Sequence, residues 1–223
     1  MVALRDQPYL SAEAYLAWEA EQSQRHEYVF GETYAMAGGT LNHNRVIGNL
    51  YLLLRERLRG TNCQVFTSDV KTEVSEWGPY FYPDVVVTCD PRDRAIDPQQ
   101  SLIRFPCLII EVLSPSTQSY DKTDKFKFYQ RIPTLQEIVL VDLRFPNLMV
   151  YRRVAPNQWQ IEVCGPVPNA PNDLPLLDLE GWFVDFRSLD FPAPLGLIYE
   201  DVIFPHSSPP PPNPAPRSPN PTA

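Results

Sequence analysis

No stretch of this 223-residue chain approaches the ~20 consecutive apolar residues that a membrane-spanning helix requires. The opening Met1-Val2-Ala3-Leu4-Arg5-Asp6 lacks the basic region and apolar run of a secretory signal, so a cytoplasmic location is expected. Four cysteines (Cys63, Cys89, Cys107, Cys164) lie far apart with no Cys-x-x-Cys pair, which removes a zinc cluster from consideration. A disulfide framework is unnecessary in a domain of this length, and Cys89 and Cys107, set in apolar runs, are expected as reduced, buried thiols. An excess of basic charge is also missing. Lys and Arg number 19 against 27 Asp and Glu, for a net charge of −8 and a pI near 4.9. That counts against a protein that coats nucleic acid by charge alone and argues for weak or selective contact. It leaves a nuclease open, because acidic side chains gathered around a divalent cation have their local field reversed by the ion. There is no internal repeat and no helix with a basic face suited to reading bases.

What is present is a soluble globular composition, 43% hydrophobic and 21% charged, in a length that suits one domain. Its boundary falls near residue 204. Residues 1–204 form the expected domain, and 205–223, with the run Pro209-Pro210-Pro211-Pro212, form an expected disordered or polyproline-II tail. Such a tail either extends into solvent or docks on a partner's aromatic groove. Helices are expected over 12–22, with Ser11 as cap, over 42–59, ended by Gly60, and over 121–131, stopped by Ile132-Pro133. Strands are expected on either side of a turn at Gly31, then over 63–69, 80–88, 107–113, 138–142, 149–153, 159–163 and 181–186. Helices interleaved with a strand-rich centre read as an α/β or α+β fold.

Asp84 opens the run Val85-Val86-Val87, and Glu111 closes the run Cys107-Leu108-Ile109-Ile110. Acidic residues are depleted in buried strands because an unpaired carboxylate there is costly, so each needs a partner. If the two strands pair antiparallel, the start of the first lies beside the end of the second and the two acids meet at one sheet edge. Hard oxygen ligands there suit Mg²⁺ or Mn²⁺. Taken singly, Asp84 reads first as a turn cap and Glu111 as half of an arginine pair. The next helix adds Asp121, Lys125 and Tyr129 at i, i+4 and i+8, on one face. From there a lysine can return to the carboxylates and offset phosphate charge or orient water. Its plain alternative is an exposed Asp121–Lys125 pair of small energetic consequence. Lys122 and Lys127 fall on other faces. Tyr129 is expected to pack rather than react, and Ser114 and Thr117 to shape the turn into the helix. His43 begins a helix, where an imidazole either holds a loop or contacts phosphate.

These residues carry a family resemblance. Tyr82-Pro83-Asp84-Val85-Val86-Val87, then Ile110-Glu111-Val112-Leu113-Ser114-Pro115-Ser116-Thr117, then Asp121-x-x-x-Lys125-x-x-x-Tyr129 resemble the Uma2 family of the PD-(D/E)XK nuclease superfamily, a family abundant in cyanobacteria. The likeness extends upstream through Arg25-His26-Glu27-Tyr28-Val29-Phe30-Gly31-Glu32 and His43. Downstream it continues through Gln136-Glu137-Ile138-Val139-Leu140-Val141-Asp142. It implies a restriction-endonuclease-like fold, a central mixed sheet flanked by helices. Asp84 would match the metal-binding aspartate and Glu111 the second acid. Where the usual Glu-x-Lys pattern has its lysine, this chain has Leu113, so the resemblance implies a lysine supplied by the next helix, Lys125. Glu27 would match an additional acid near the metal; an ion pair beside the turn accounts for it equally well.

The expected activity is metal-dependent endonucleolytic cleavage of DNA. Asp84, Glu111 and a backbone carbonyl near Val112 would hold one or two Mg²⁺ or Mn²⁺ ions, with Lys125 positioning the attacking water. The rival is a nuclease-fold binding or interaction protein without turnover, in keeping with the acidic charge and the Pro-rich tail. RNA is a further possible substrate, since the phosphate is common to both nucleic acids. A homodimer would match the two-fold symmetry of a duplex.

Overall fold

The computed structural model describes residues 9–36, 38–95, 101–113, 125–166 and 178–204. Asp121, Ser114, Thr117 and the Pro-rich segment 205–223 lie outside these. Ser11 caps α1 (Ala12–Glu19) by accepting the Ala14 N–H, as its position requires. The helix ends three residues short of the expected limit. A hairpin follows, β1 (His26–Val29) and β2 (Glu32–Ala35), turning through Phe30 and Gly31. Both turn residues have positive φ, +44° and +108°, the tight two-residue turn that matches strand twist. A side chain at 31 would also strike the Tyr9 ring. Thr40 caps α2 (Leu41–Arg57), whose Val46, Ile47, Leu50 and Leu54 form its buried stripe.

The remaining strands are β3 (Gln64–Thr67), β4 (Lys71–Glu73), β5 (Tyr80–Phe81), β6 (Val85–Thr88), β7 (Leu102–Ile103), β8 (Pro106–Val112), β9 (Glu137–Val141), β10 (Leu148–Ala155), β11 (Gln158–Cys164), β12 (Phe183–Phe186) and β13 (Phe191–Pro194). Three short α-helices, α3 (Pro91–Arg94), α4 (Phe126–Tyr129) and α5 (Leu195–Ile198), and a 3-10 turn at Arg187–Leu189 complete the described chain. A six-stranded sheet runs in the order β11-β10-β9-β8-β6-β3 and is mixed, with β8 and β9 parallel and the other pairs antiparallel. A second sheet runs β2-β1-β5-β4-β7.

One face of the large sheet, with Val65, Val85, Val87, Leu108 and Ile110, packs on α2, α5 and the β12–β13 hairpin. The opposite face, with Val86, Ile109, Ile138 and Leu140, packs on Tyr129 of α4 and on Phe81, Val74 and Ile103 of the second sheet. Helix α1 covers the outer side of that sheet through Tyr15, against Tyr28 and Tyr80. The fold is therefore mixed α/β, with the large sheet enclosed on both faces.

Two expectations are corrected. The single strand expected over 80–88 is two strands in different sheets. Tyr82-Pro83-Asp84 breaks it, since Pro83 supplies no N–H to a ladder and restricts the residue before it. Cys89 is not a reduced thiol: it is bonded to Cys63. The two stand one step beyond the Gln64–Thr88 pair of the antiparallel β3–β6 ladder, so the strand register brings them face to face across 26 residues of sequence. Cys107 is the buried thiol expected, 3.7 Å from the Cys89 sulfur, and burial pushes its pKa up to about 12.

Closing a 26-residue loop restricts the unfolded chain, so Cys63→Ser is expected to cost about 3 kcal/mol. For a domain of this size that is a melting temperature lower by about 6–12 °C. An unchanged melting curve after reduction would remove the bond from the fold's support.

Candidate active site

The site forms where the end of β8 meets the start of β6. Val85 pairs with Ile110 across the antiparallel ladder. One step further along the same register Asp84 stands opposite Glu111, and opposed residues of an antiparallel pair project to the same face. Asp84 is held from two directions through one oxygen. Its Oδ2 accepts the Val112 backbone N–H at 2.7 Å and lies 3.3 Å from His43 Nε2. His43 comes from the first turn of α2, so the helix on one face of the sheet reaches the acid at its end. Gly39 makes room for this contact, because a side chain there would come within 2.6 Å of His43 Nδ1.

Glu111 is approached from the other face. Lys125 and Tyr129, i and i+4 on the chain leading through α4, both address its Oε1. The Lys125 ammonium is 3.2 Å away, and the Tyr129 hydroxyl donates at 2.7 Å. Lys125 also makes a 2.8 Å ion pair with Glu27 Oε1 and lies 5.7 Å from the centre of the Phe81 ring. Glu27 belongs to β1 in the second sheet, and its Oε1 additionally accepts the Tyr82 N–H at 3.2 Å. Glu27, Glu111 and Lys125 are 1%, 3% and 6% exposed, so these ionic groups are withdrawn from water and depend on one another.

Behind them lies a second polar network. The Tyr82 hydroxyl donates to Glu19 Oε1 at 2.8 Å, which also accepts the His26 N–H. Burial, together with the bond to Glu19, holds the Tyr82 phenol well above its usual pKa. Lys71, 3.3 Å from the same hydroxyl, is lowered by burial.

Every site residue named from the sequence falls into this cluster except Asp121, which lies outside the described residues. Sequence reasoning missed the backbone donors at Tyr82 and Val112, which carry no side-chain signature, and the hydrogen bond that Tyr129 makes as well as packing. Among the described residues no group of three or more His, Cys, Asp or Glu is gathered into a ready-made cation cage. A cavity of about 690 Å³, lined in part by Glu13, Glu73, Trp77 and Arg104, opens beside α1 and shares no residue with the cluster.

Known proteins resemble the chain in both sequence and fold. A protein of Synechocystis sp., "Uncharacterized protein slr1290", is 42% identical over 154 residues, 69% of this chain and 80% of that protein. A second, "Uncharacterized protein sll1609" of the same organism, is 36% identical over 159 residues, 71% and 89% of the two chains. The crystal structure of "a putative nuclease belonging to DUF820" from Anabaena variabilis superposes with a TM-score of 0.64. It covers 85% of this chain and 97% of its own at 17% identity, a likeness of fold. The sequence model of the Uma2 family, described as "Putative restriction endonuclease", matches residues 12–187, a span that includes Glu27, His43, Asp84, Glu111, Lys125 and Tyr129, and the chain belongs to that family.

Proposed function

We propose that this protein is a metal-dependent endonuclease that hydrolyses phosphodiester bonds in DNA, with Asp84, Glu111 and Lys125 at its centre. The observation that carries this reading is a buried lysine 3.2 Å from Glu111, with Asp84 one step beyond the Val85–Ile110 pair at the same ends of β6 and β8. Two hard carboxylates fit Mg²⁺ or Mn²⁺. Mg²⁺ keeps several waters and takes one or two carboxylates plus substrate oxygens, so two acids without a full protein cage agree with its chemistry. Asp84 and Glu111 would hold the ion, together with a backbone carbonyl near Val112. Such an ion supplies positive charge that polarises the phosphate and acidifies water.

The chain's own groups do the rest. The Val112 N–H and His43 fix Asp84 through Oδ2. Tyr129 fixes Glu111. Lys125 brings a positive charge to the carboxylate pair, where it can orient the attacking water and offset charge developing on the phosphate. Low exposure strengthens each of these contacts relative to water.

Purified protein is expected to nick supercoiled plasmid with Mg²⁺ or Mn²⁺ and not with EDTA. Asp84→Ala and Glu111→Ala should abolish nicking in folded protein, and Lys125→Ala should slow it by on the order of 10²-fold. A wild-type rate in any of these folded variants removes that residue from the mechanism. No nicking by folded wild-type protein with either metal would favour the binding-protein reading.

His43 acts through Asp84, and loss of such an orienting partner costs about 10–100-fold. His43→Ala should therefore slow nicking by that much. Gly39→Ala, which drives a methyl group into the ring of His43, should reproduce much of the defect by displacing the imidazole without removing it. Normal rates in Gly39→Ala, with folding intact, would show that His43 tolerates displacement and has no orienting role.

A further inference from the structure

The arrangement around Lys125 separates two tasks among three acids. Asp84, just before β6, and Glu111 of β8 lie one step beyond the Val85–Ile110 pair, at the same ends of the two strands of the large sheet. Glu27 approaches from a different sheet, and its Oε1 faces two nitrogen donors, the Lys125 ammonium at 2.8 Å and the Tyr82 N–H at 3.2 Å. The lysine lies nearer to Glu27 than to Glu111, at 2.8 Å against 3.2 Å. An ion bound between Asp84 and Glu111 would draw on Glu111 and weaken its hold on the ammonium. Glu27 would keep its own. The Tyr82 N–H also ties Glu27 to the backbone two residues before Asp84, so one carboxylate contacts both the lysine and the chain leading into the aspartate.

We infer that Glu27 is a positioning residue that clamps Lys125 against the Tyr82–Asp84 corner, and that it is not a metal ligand. This rests on the proposed nuclease site for its consequence in catalysis, while the clamp itself is a property of the fold and is measurable without activity. It differs from the expectation that Glu27 joins the metal.

The test uses the full chain and four proteins: wild type, Glu27→Ala, Glu27→Gln and Asp84→Ala. Brief treatment with an amine-acetylating reagent, followed by peptide mass spectrometry, reads the accessibility of Lys125, with the exposed Lys127 as an internal control. Breaking one partner of a buried ion pair is strongly destabilising locally, so Glu27→Ala should raise acetylation of Lys125 by about tenfold or more. Lys127 should be unaffected. Glu27→Gln keeps an oxygen that accepts both N–H donors and should restore much of the protection. In parallel, Mn²⁺ binding followed by electron paramagnetic resonance should be close to wild type in both Glu27 variants and lost in Asp84→Ala. Nicking should fall in Glu27→Ala and partly return in Glu27→Gln.

Unchanged Lys125 acetylation in Glu27→Ala would overturn the clamp. So would loss of Mn²⁺ binding in Glu27→Ala to the extent seen in Asp84→Ala, which would make Glu27 a ligand. If wild-type protein neither binds Mn²⁺ nor nicks DNA, the nuclease reading falls by itself, and the acetylation ratio still decides whether Glu27 holds the lysine.

Discussion

Two carboxylates on strands of different sheets, each almost wholly withdrawn from water, share one ammonium group. Isolated, any one of the three would be too costly to bury; together each offsets the desolvation of the others. Much of the surrounding architecture serves to keep them together. The second sheet must dock on the large one at a spacing that lets Glu27 reach Lys125. The chain from β8 must return through α4 so that Lys125 and Tyr129 face Glu111 from one side. Buried charge stabilises a fold poorly compared with apolar packing, and here the apolar work is done elsewhere, by the two cores on either side of the large sheet. What the ionic cluster contributes is alignment: if the sheets slide, a charge is stranded.

Asp84 occupies the joint of this arrangement. Tyr82-Pro83-Asp84 is where the chain leaves the second sheet and enters the large one. Its first residue gives an N–H to Glu27 and a hydroxyl to Glu19, and its last is fixed by Val112 and His43. The proline that breaks the ladder therefore also leaves an acid at the end of a strand of the large sheet rather than within it.

Much of this was legible in the sequence, for identifiable reasons. The apolar spacing of Val46, Ile47, Leu50 and Leu54 specified α2, and the runs at 85–87 and 107–110 marked strands buried on both faces. Antiparallel pairing then followed as one of two options, and it is the one that joins Asp84 to Glu111. The helical interval from Lys125 to Tyr129 placed both on one side. Less was visible where the determinant is a contact between distant segments. Two- and three-residue strands such as β4 and β7 carry too few residues for a periodic signal. The Cys63–Cys89 bond depends on a register between β3 and β6 that no spacing encodes. The distinct position of Glu27 depends on how two sheets stack, and the backbone donors at Tyr82 and Val112 are chemically anonymous. A pattern search for Glu-x-Lys meets Leu113 and stops, because the lysine arrives by folding rather than by adjacency.

That route has a consequence for how the molecule can be divided. Everything on the N-terminal side of residue 113 holds the three acids and His43; everything from residue 125 onward holds Lys125 and Tyr129. A break between them would leave two polypeptides, each chemically incomplete, and the contacts available to rejoin them are the parallel β8–β9 ladder and the shared core on either face of the sheet. The fold thus has the layout of a complementation pair, in which assembly of the halves and assembly of the charge cluster are the same event.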